Sequence, residues 1–256
     1  MNQADLIIQN GTVLNVYSGE LLETNIVIKG ERIWYVGHST PEVDSHTGVL
    51  DVAGKVVVPG YIDPHFHPWF TYNPLSLGEK ACALGTTTLF CDNLIFYLLM
   101  GVDRFIAFME ALQEMPIQYF WWCRAVPQTP MPDEEVLFSV GNLKRLLQHP
   151  LVKSLGEITR WQDLIHHNPK ITEMIRFAHG LGKRVDGHTA GAKYDQLNVI
   201  SRAGVESCHE AITAQEVLER LRLGLHVFLR ESSLRQDLID LLQVVTKDQV
   251  STHRIM

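Results

Sequence analysis

The sequence predicts an α/β protein: a (β/α)8 barrel of TIM type that lacks most of its eighth strand, preceded by a small β-sheet. Three observations carry this. Residues 4–58 run as short strands of alternating apolar and polar residues, punctuated by glycine. From Tyr61 onward, strands of four to seven residues alternate with amphipathic segments of helix length. Histidine and glutamate then recur at the ends of several of these strands, where barrels place their chemistry. A doubly wound open sheet is the other architecture that the alternation fits.

The N-terminal sheet, residues 1–58, is read from Leu6-Ile7-Ile8, from Val13-Leu14-Asn15-Val16, and from Glu23–Lys29 and Arg32–Gly37 flanking Gly30-Glu31 as a hairpin. A sheet this small needs something to pack on. The barrel domain, residues 59–256, opens with a strand at 61–66, a helix over Leu75–Leu84 closed by Gly85, and a β-branched strand over Thr86–Cys91. Val102–Glu114 is helical, with Phe105, Phe108, Met109 and Leu112 on one face. Strands follow at Ile117–Val126 and Val152–Leu155, with a helix within Asp133–Gln148 between them. Ile171–Leu181 is a helix stopped by Gly182. The strand Arg184–Gly187 ends at His188, the helix Ala192–Arg202 follows, and the strand Val205–Cys208 ends at His209. Thr213 and Glu216 form a capping box for a helix over Ala214–Leu223. Leu225–Arg230 is a seventh strand, Ser233–Val245 a seventh helix, and Thr252–Met256 the start of an eighth strand.

Composition excludes some function classes. Hydrophobic residues are 46% and charged residues 20%, as in an ordinary globular protein. A formal net charge of −7, with no Lys/Arg cluster, argues against nucleic acid as partner. No basic segment followed by an apolar one opens the chain, and Leu94–Met100 is far shorter than the ~20 residues of a membrane span, so no membrane association is expected. Cys82, Cys91, Cys123 and Cys208 contain no CxxC pair and read as reduced thiols of a cytoplasmic protein. His38, His46 and His149 sit in polar or turn-like surroundings, and His166-His167 in a loop, all read as solvated.

The stretch that organises the chain is Pro59-Gly60-Tyr61-Ile62-Asp63-Pro64-His65-Phe66-His67. Side chains two apart on a strand share a face, so His65 and His67 converge, and both can reach one divalent cation at about 2.0–2.2 Å. Strand four ends in Glu157, strand five in His188 and strand six in His209. Lys153, the lysine of strand four, lies roughly 13 Å below Glu157 at ~3.3 Å per residue, too far to reach the mouth. Glu157 is therefore the candidate bridging carboxylate, and His65, His67, Glu157, His188 and His209 the candidate ligands of two divalent ions. Asp63 and Asp186 are expected one layer behind them, with Asp186 anchoring a neighbouring ligand or arginine.

The nine-residue stretch resembles the metal-binding signature of the amidohydrolase superfamily. Gly156-Glu157, Asp186-Gly187-His188-Thr189-Ala190-Gly191 and Ser207-Cys208-His209-Glu210 resemble its adenine deaminase branch, as do Val126-Pro127-x-Thr129-Pro130 and Gly85-Thr86-Thr87-Thr88. The resemblance covers nearly the whole chain. It implies a binuclear centre of Mn2+ or Fe2+, with Zn2+ also admissible, that hydrolyses adenine to hypoxanthine and ammonia in purine metabolism. It implies too that residues 1–58 are half of a composite β-sandwich, and that a strand-eight aspartate serves as ligand and proton shuttle. That aspartate is absent from this chain, so the chain is expected to be C-terminally truncated, with open edges at strands one and seven, a tendency to form homo-oligomers, and weak or no activity.

The branch usually has Ile-Glu-Ser-Ser after the second histidine, where this chain has Pro68-Trp69-Phe70-Thr71. After strand two it usually has Asp-Pro-His-Glu, where this chain has Asp92-Asn93-Leu94-Ile95. These departures leave the ring of the small-molecule substrate open, a purine or a related one, with Trp69 and Asp92 as candidate contacts. Two further readings stand beside the deaminase: a cyclic-amide hydrolase of dihydroorotase or hydantoinase type, and a truncated, non-catalytic homologue.

Overall fold

The computed structural model describes residues 4–39, 41, 43–70 and 72–256. The chain forms two compact units, Met1–Gly60 and Tyr61–Met256.

In the first unit, β1 (Leu6–Asn15) is central. It pairs antiparallel with β2 (Glu20–Lys29), which pairs with β3 (Arg32–Gly37), and parallel with β4 (Gly48–Asp51) and β5 (Val56–Val57). The hairpin turns at Gly30, whose φ of +57° suits glycine. Among the described residues, Ala4, Ile7 and Val27 make a small buried cluster here, with Tyr35 against it, while Ile33, Trp34, Val49 and Leu50 stay exposed. One sheet cannot bury both of its faces.

The second unit is a parallel sheet of seven strands, each followed by helical structure: β6 (Tyr61–Phe66), α1 (Pro74–Ala83), β7 (Thr86–Asp92), α2 (Leu94–Ala111), β8 (Gln118–Cys123), α3 (Glu134–Leu137) and α4 (Val140–Gln148). Then come β9 (Val152–Ile158), α5 (Trp161–Ile165), α6 (Pro169–Gly180), β10 (Arg184–Gly187), α7 (Tyr194–Arg202), β11 (Ser207–Cys208), α8 (Ala214–Arg222), β12 (His226–Val227), α9 (Leu238–Leu241) and α10 (Gln243–Thr246). Strand order follows chain order from β6 to β12, the topology of a (β/α) barrel. In a flat sheet β6 and β11 would stand five strands apart, about 24 Å at ~4.8 Å per strand. Instead the rings of His65 and His209 stack with centroids 3.9 Å apart, and Trp122 meets Phe228 edge-on at 6.1 Å. The sheet is therefore strongly curled.

Helix chemistry explains the outer layer. In α6, Asn168 caps the first turn by accepting from the amides of Lys170 and Ile171, and Pro169 stands where no helical N–H is lost. Its Ile171, Met174, Ile175 and Ala178 form the i, i+3, i+4, i+7 stripe that is buried. Leu143, Leu146 and Leu147 do the same for α4. They pack with Phe105, Met109, Trp121, Leu155 and Val185 into one core between strands and helices. Each fully buried side chain of this kind is worth roughly 1.5–3 kcal/mol. Truncating Leu146 to alanine is therefore costly, about 2–5 kcal/mol.

The structure differs from the expected elements in four places. The second helix begins at Leu94, eight residues early, because the Asp92 carboxylate accepts the Leu94 amide at 2.6 Å; it is interrupted at Gly101, where φ is +68°. The seventh helix is two short pieces, since Ser232 accepts from the amides of Leu234 and Arg235 and holds residues 232–235 in a turn. At α8 the capping box is half present: Thr213 accepts the Glu216 amide at 3.2 Å, but Glu216 reaches the amide of Ile212. Finally, the expected eighth-strand start is a 3-10 turn over Thr252–Arg254, after which Ile255 bridges Val227 in parallel. Met256 exchanges backbone hydrogen bonds with Val227 and Leu229 at 2.9 and 2.7 Å, so β12 is not the open edge that was expected.

Candidate metal centre

The strand pleat sets the first pair. His65 in β6 and His67 just beyond it lie two residues apart and face the same way, with Nε2 atoms 3.1 Å apart. Glu157, near the end of β9, meets this pair through one oxygen: Oε1 is 3.0 Å from His67 Nε2 and 3.6 Å from His65 Nε2. Its other oxygen meets a second pair, with Oε2 2.5 Å from His188 Nδ1 and 3.3 Å from His209 Nε2. One buried carboxylate thus joins four imidazoles, two on each oxygen.

Asp186, fully buried in β10, lies behind them. Its Oδ1 accepts from Ser207 Oγ at 2.6 Å, and its Oδ2 faces His209 Nδ1 at 3.3 Å and His65 Nδ1 at 3.9 Å. Glycine at 156 lets β9 approach this carboxylate. A Cβ there would lie 2.8 Å from the Asp186 Cβ and 2.9 Å from its carbonyl oxygen, closer than real Cβ contacts come. Asp63 accepts the amide of His65 at 3.1 Å, and burial raises its carboxyl above the ordinary carboxylate range.

Two charged groups at this mouth escaped the strand-end reading. Arg124 directly follows β8, which ends at Cys123, three residues before the expected strand end at Val126. The arginine is fully buried, donating Nη2–H to Glu157 Oε1 at 2.7 Å and Nε–H to Asp92. Glu210 follows His209 and lies 3.6 Å from His209 Nε2 and 3.7 Å from His188 Nδ1, held by Arg230 and Arg235.

Electrostatics separates the histidines. Burial, reinforced by His209 nearby, lowers His65 to about 4, which leaves it the neutral imidazole that ligates metals. For His209 burial acts downward, but the carboxylates of Asp186 and Glu157, each 3.3 Å from one of its ring nitrogens, outweigh it and raise the group well above its ordinary value. Burial would likewise raise Glu157, yet the surrounding His188, His209, His65 and His67 hold it well below the usual carboxylate range. Asp92 is raised by burial, with Arg124 opposing.

The donor set fits cations. His67 Nε2 lies 3.1 Å from His65 Nε2 and 3.0 Å from Glu157 Oε1, and one ring nitrogen cannot accept from the first while donating to the second; His65 Nδ1, His209 Nδ1 and Asp186 Oδ2 are buried without a hydrogen-bond partner. Three groups bring ligand atoms within 4.8 Å of one another: His65–Glu157–His209, His188–His209–Glu210 and His67–Asp92–Glu157. His65, His67, Glu157, His188 and His209 therefore come together, with Asp186 behind.

The other candidates fall differently. Asp92 is fully buried, its oxygens taken by the Leu94 amide and by Arg124, so it points to the protein rather than to an open mouth. The Trp69 ring lies 4.9 Å from that of His67, and exposed Phe70 stacks on His67 at 5.9 Å. Thr71 lies outside the described residues. Lys153 places its ammonium 4.5 Å over the Phe120 ring and is exposed, away from the cluster. His166 and His167 are exposed as well.

Against known proteins, residues 56–246 match the model of the amidohydrolase family. A candidate adenine deaminase of Halalkalibacterium halodurans is 43% identical over 239 residues, 93% of this chain and 41% of that protein. An adenine deaminase of Moorella thermoacetica is 30% identical over 257 residues, 99% of this chain and 43% of that protein. The chain thus spans about two fifths of the length of these curated relatives. Among solved structures, the β-aspartyl dipeptidase of Fervidobacterium islandicum superposes with a TM-score of 0.70 at 17% identity, over 97% of this chain and 71% of that one. An L-hydantoinase of Arthrobacter aurescens gives 0.63 at 15%, over 88% and 58%. At these identities the likeness is one of fold.

Proposed function

The chain belongs to the amidohydrolase family, and from that premise we propose that it is an aminohydrolase of the adenine deaminase type, converting adenine and water to hypoxanthine and ammonia. The observation that supports this most is the Glu157 carboxylate, which offers one oxygen to His65 and His67 and the other to His188 and His209. We propose these five residues as ligands of two divalent ions, Mn2+ or Fe2+, with Zn2+ also admissible. Such ions, when bound, bring the pKa of water down to about 7 and so supply a nucleophile.

The protein's own groups do the rest. Asp186 fixes the His209 and His65 rings from behind, and Asp63 pins the backbone at His65. Trp69 and Phe70 beside His67 offer faces on which a planar ring can stack. In the reaction the water oxygen bonds to the ring carbon bearing the amine, a proton passes to the amine nitrogen, and the carbon–nitrogen bond breaks to release ammonia. Glu210, 3.7 Å from His188 Nδ1 and outside the bridge, is the carboxylate at hand to hold that proton in transit. We place this chemistry in purine metabolism, in the cytoplasm, with a homo-oligomer as the working form.

The position of Lys153 counts against the cyclic-amide reading, since hydrolases of that kind commonly bridge their metals with a modified lysine of strand four, and this lysine faces away. The test is a substrate panel on the metal-loaded protein, with adenine, other aminopurines, a hydantoin and dihydroorotate, read as ammonia release and ring opening. Ammonia from adenine, lost in Glu157→Gln, is the expected result. Ring opening of a cyclic amide without ammonia from adenine would overturn the deaminase in favour of the second reading.

A further inference from the structure

We infer that Arg124 acts as a resident cation on one half of the carboxylate bridge, so that the two halves of the centre fill with metal in a fixed order, the half at Glu157 Oε2 first. The inference rests on the metal-centre reading and adds an order that neither the ligand set nor the family match contains.

The two oxygens of Glu157 are not equivalent. Oε2 meets only histidines, His188 and His209, with the carboxylate of Glu210 close to both. Oε1 meets His65 and His67 and also accepts a hydrogen bond of 2.7 Å from Arg124 Nη2. A guanidinium stays charged at any ordinary pH. It also lies in the bite of a ligand-capable group, since His67, Asp92 and Glu157 bring their atoms within 4.8 Å of one another and Arg124 bonds two of the three. A resident cation thus already bonds both carboxylates of that group.

Arg124 cannot simply swing aside. It is 1% exposed, and Asp92, which it pairs through Nε–H, is 0% exposed. Withdrawal would leave Asp92 buried and unpaired, a costly state. Asp92 thus keeps the guanidinium in place while offsetting part of its charge. On the other half, the arginines near Glu210 are about one third exposed and bond Glu210 rather than the bridge, so solvent screens them, and the groups that meet Oε2 are the imidazoles of His188 and His209. An ion on the Oε1 side meets a buried like charge and an acceptor already in use. An ion on the Oε2 side meets no guanidinium on the bridge, and the groups already at that oxygen are imidazoles that can themselves ligate it.

The experiment is equilibrium dialysis of the metal-stripped protein against Zn2+ alone, with bound metal counted by mass spectrometry, repeated with Co2+ and read by its absorption spectrum. Two steps are expected, separated by on the order of tenfold or more in affinity. His188→Ala should remove the tight step, and His67→Ala the weak one. In Arg124→Gln the gap should narrow. Should that variant fail to fold, judged by circular dichroism, the charge-balanced pair Asp92→Asn with Arg124→Gln carries the same expectation. Two ions of equal affinity in the unaltered protein, or a tight step lost in His67→Ala and kept in His188→Ala, would overturn the inference and leave the metal centre standing. No bound metal at all would instead overturn the centre itself.

Discussion

Replacing Asp186 by asparagine changes one atom and isolates what lies behind the ligands. Oδ1 of Asp186 accepts from Ser207 Oγ at 2.6 Å, a bond that an asparagine oxygen can keep. The lost atom is then Oδ2, which faces His209 Nδ1 at 3.3 Å and His65 Nδ1 at 3.9 Å. A neutral amide cannot orient two rings as a carboxylate does, and its N–H would oppose whichever nitrogen carries a proton. Partners of this kind typically change metal affinity by about 10–100-fold, equivalent to about 1.4–2.8 kcal/mol. Ser207→Ala provides the scale: it removes one hydrogen bond to the same carboxylate, worth about 0.5–1.5 kcal/mol, and leaves both rings facing Oδ2. The assay is competition for Zn2+ against a chromophoric chelator, with near-ultraviolet circular dichroism as a check of folding. A folded Asp186→Asn protein with unchanged zinc affinity, or one less affected than Ser207→Ala, would refute the argument that Asp186 holds these ligands.

Other outcomes follow from the same geometry. Glu157→Gln should abolish binding of a second ion and weaken the first, measured as metal content after dialysis, because no single oxygen pair then joins the two histidine pairs. Lys153→Ala should leave metal content unchanged by the same measurement, since the ammonium lies over Phe120. Chelation should lower thermal stability: an ion at 100 times its Kd stabilises by about 2.7 kcal/mol, or about 5–11 °C in Tm for a unit of this size, read by calorimetry with and without chelator. Gly156→Ala should destabilise by about 1–3 kcal/mol, read from the urea midpoint, since the added Cβ meets backbone and Cβ atoms of Asp186 that cannot move aside.

Much of this arrangement was legible in the sequence because two periodicities are simple. The pleat puts His65 and His67 on one face without any knowledge of the fold, and strand–helix alternation places Glu157, His188 and His209 at strand ends. What a linear reading cannot supply is which strand-end side chains meet across the curl, such as the stack of His65 on His209. Arg124 was hidden by its type as well as its position: an arginine at a strand end is not a metal ligand, and nothing local marks it as fully buried beside Asp92. The helix over Leu94–Met100 was hidden by composition, since an all-apolar run has no polar face to reveal a 3.6-residue period. At residues 233–237 the amphipathic pattern was present, but the turn at Ser232 and the pull of Glu210 and Asp237 on Arg235 prevailed.

The charge pattern at the mouth connects fold to chemistry. Asp92, Glu157 and Asp186 are three fully buried carboxylates of the curled sheet, and Arg124, the fully buried cation beside them, bonds Asp92 and Glu157. One guanidinium leaves this set short of positive charge. Asp186 and Glu157 flank His209 and raise that imidazole well above its ordinary value, so the same shortfall favours a cation between them. Burial of the acids is therefore what makes the site cation-seeking: each carboxylate removed from water raises the cost of the empty state and so the gain when a dication enters. The seven-stranded curl provides that burial, and a flat sheet with the same strand-end residues would leave them in water, where they would bind metal weakly.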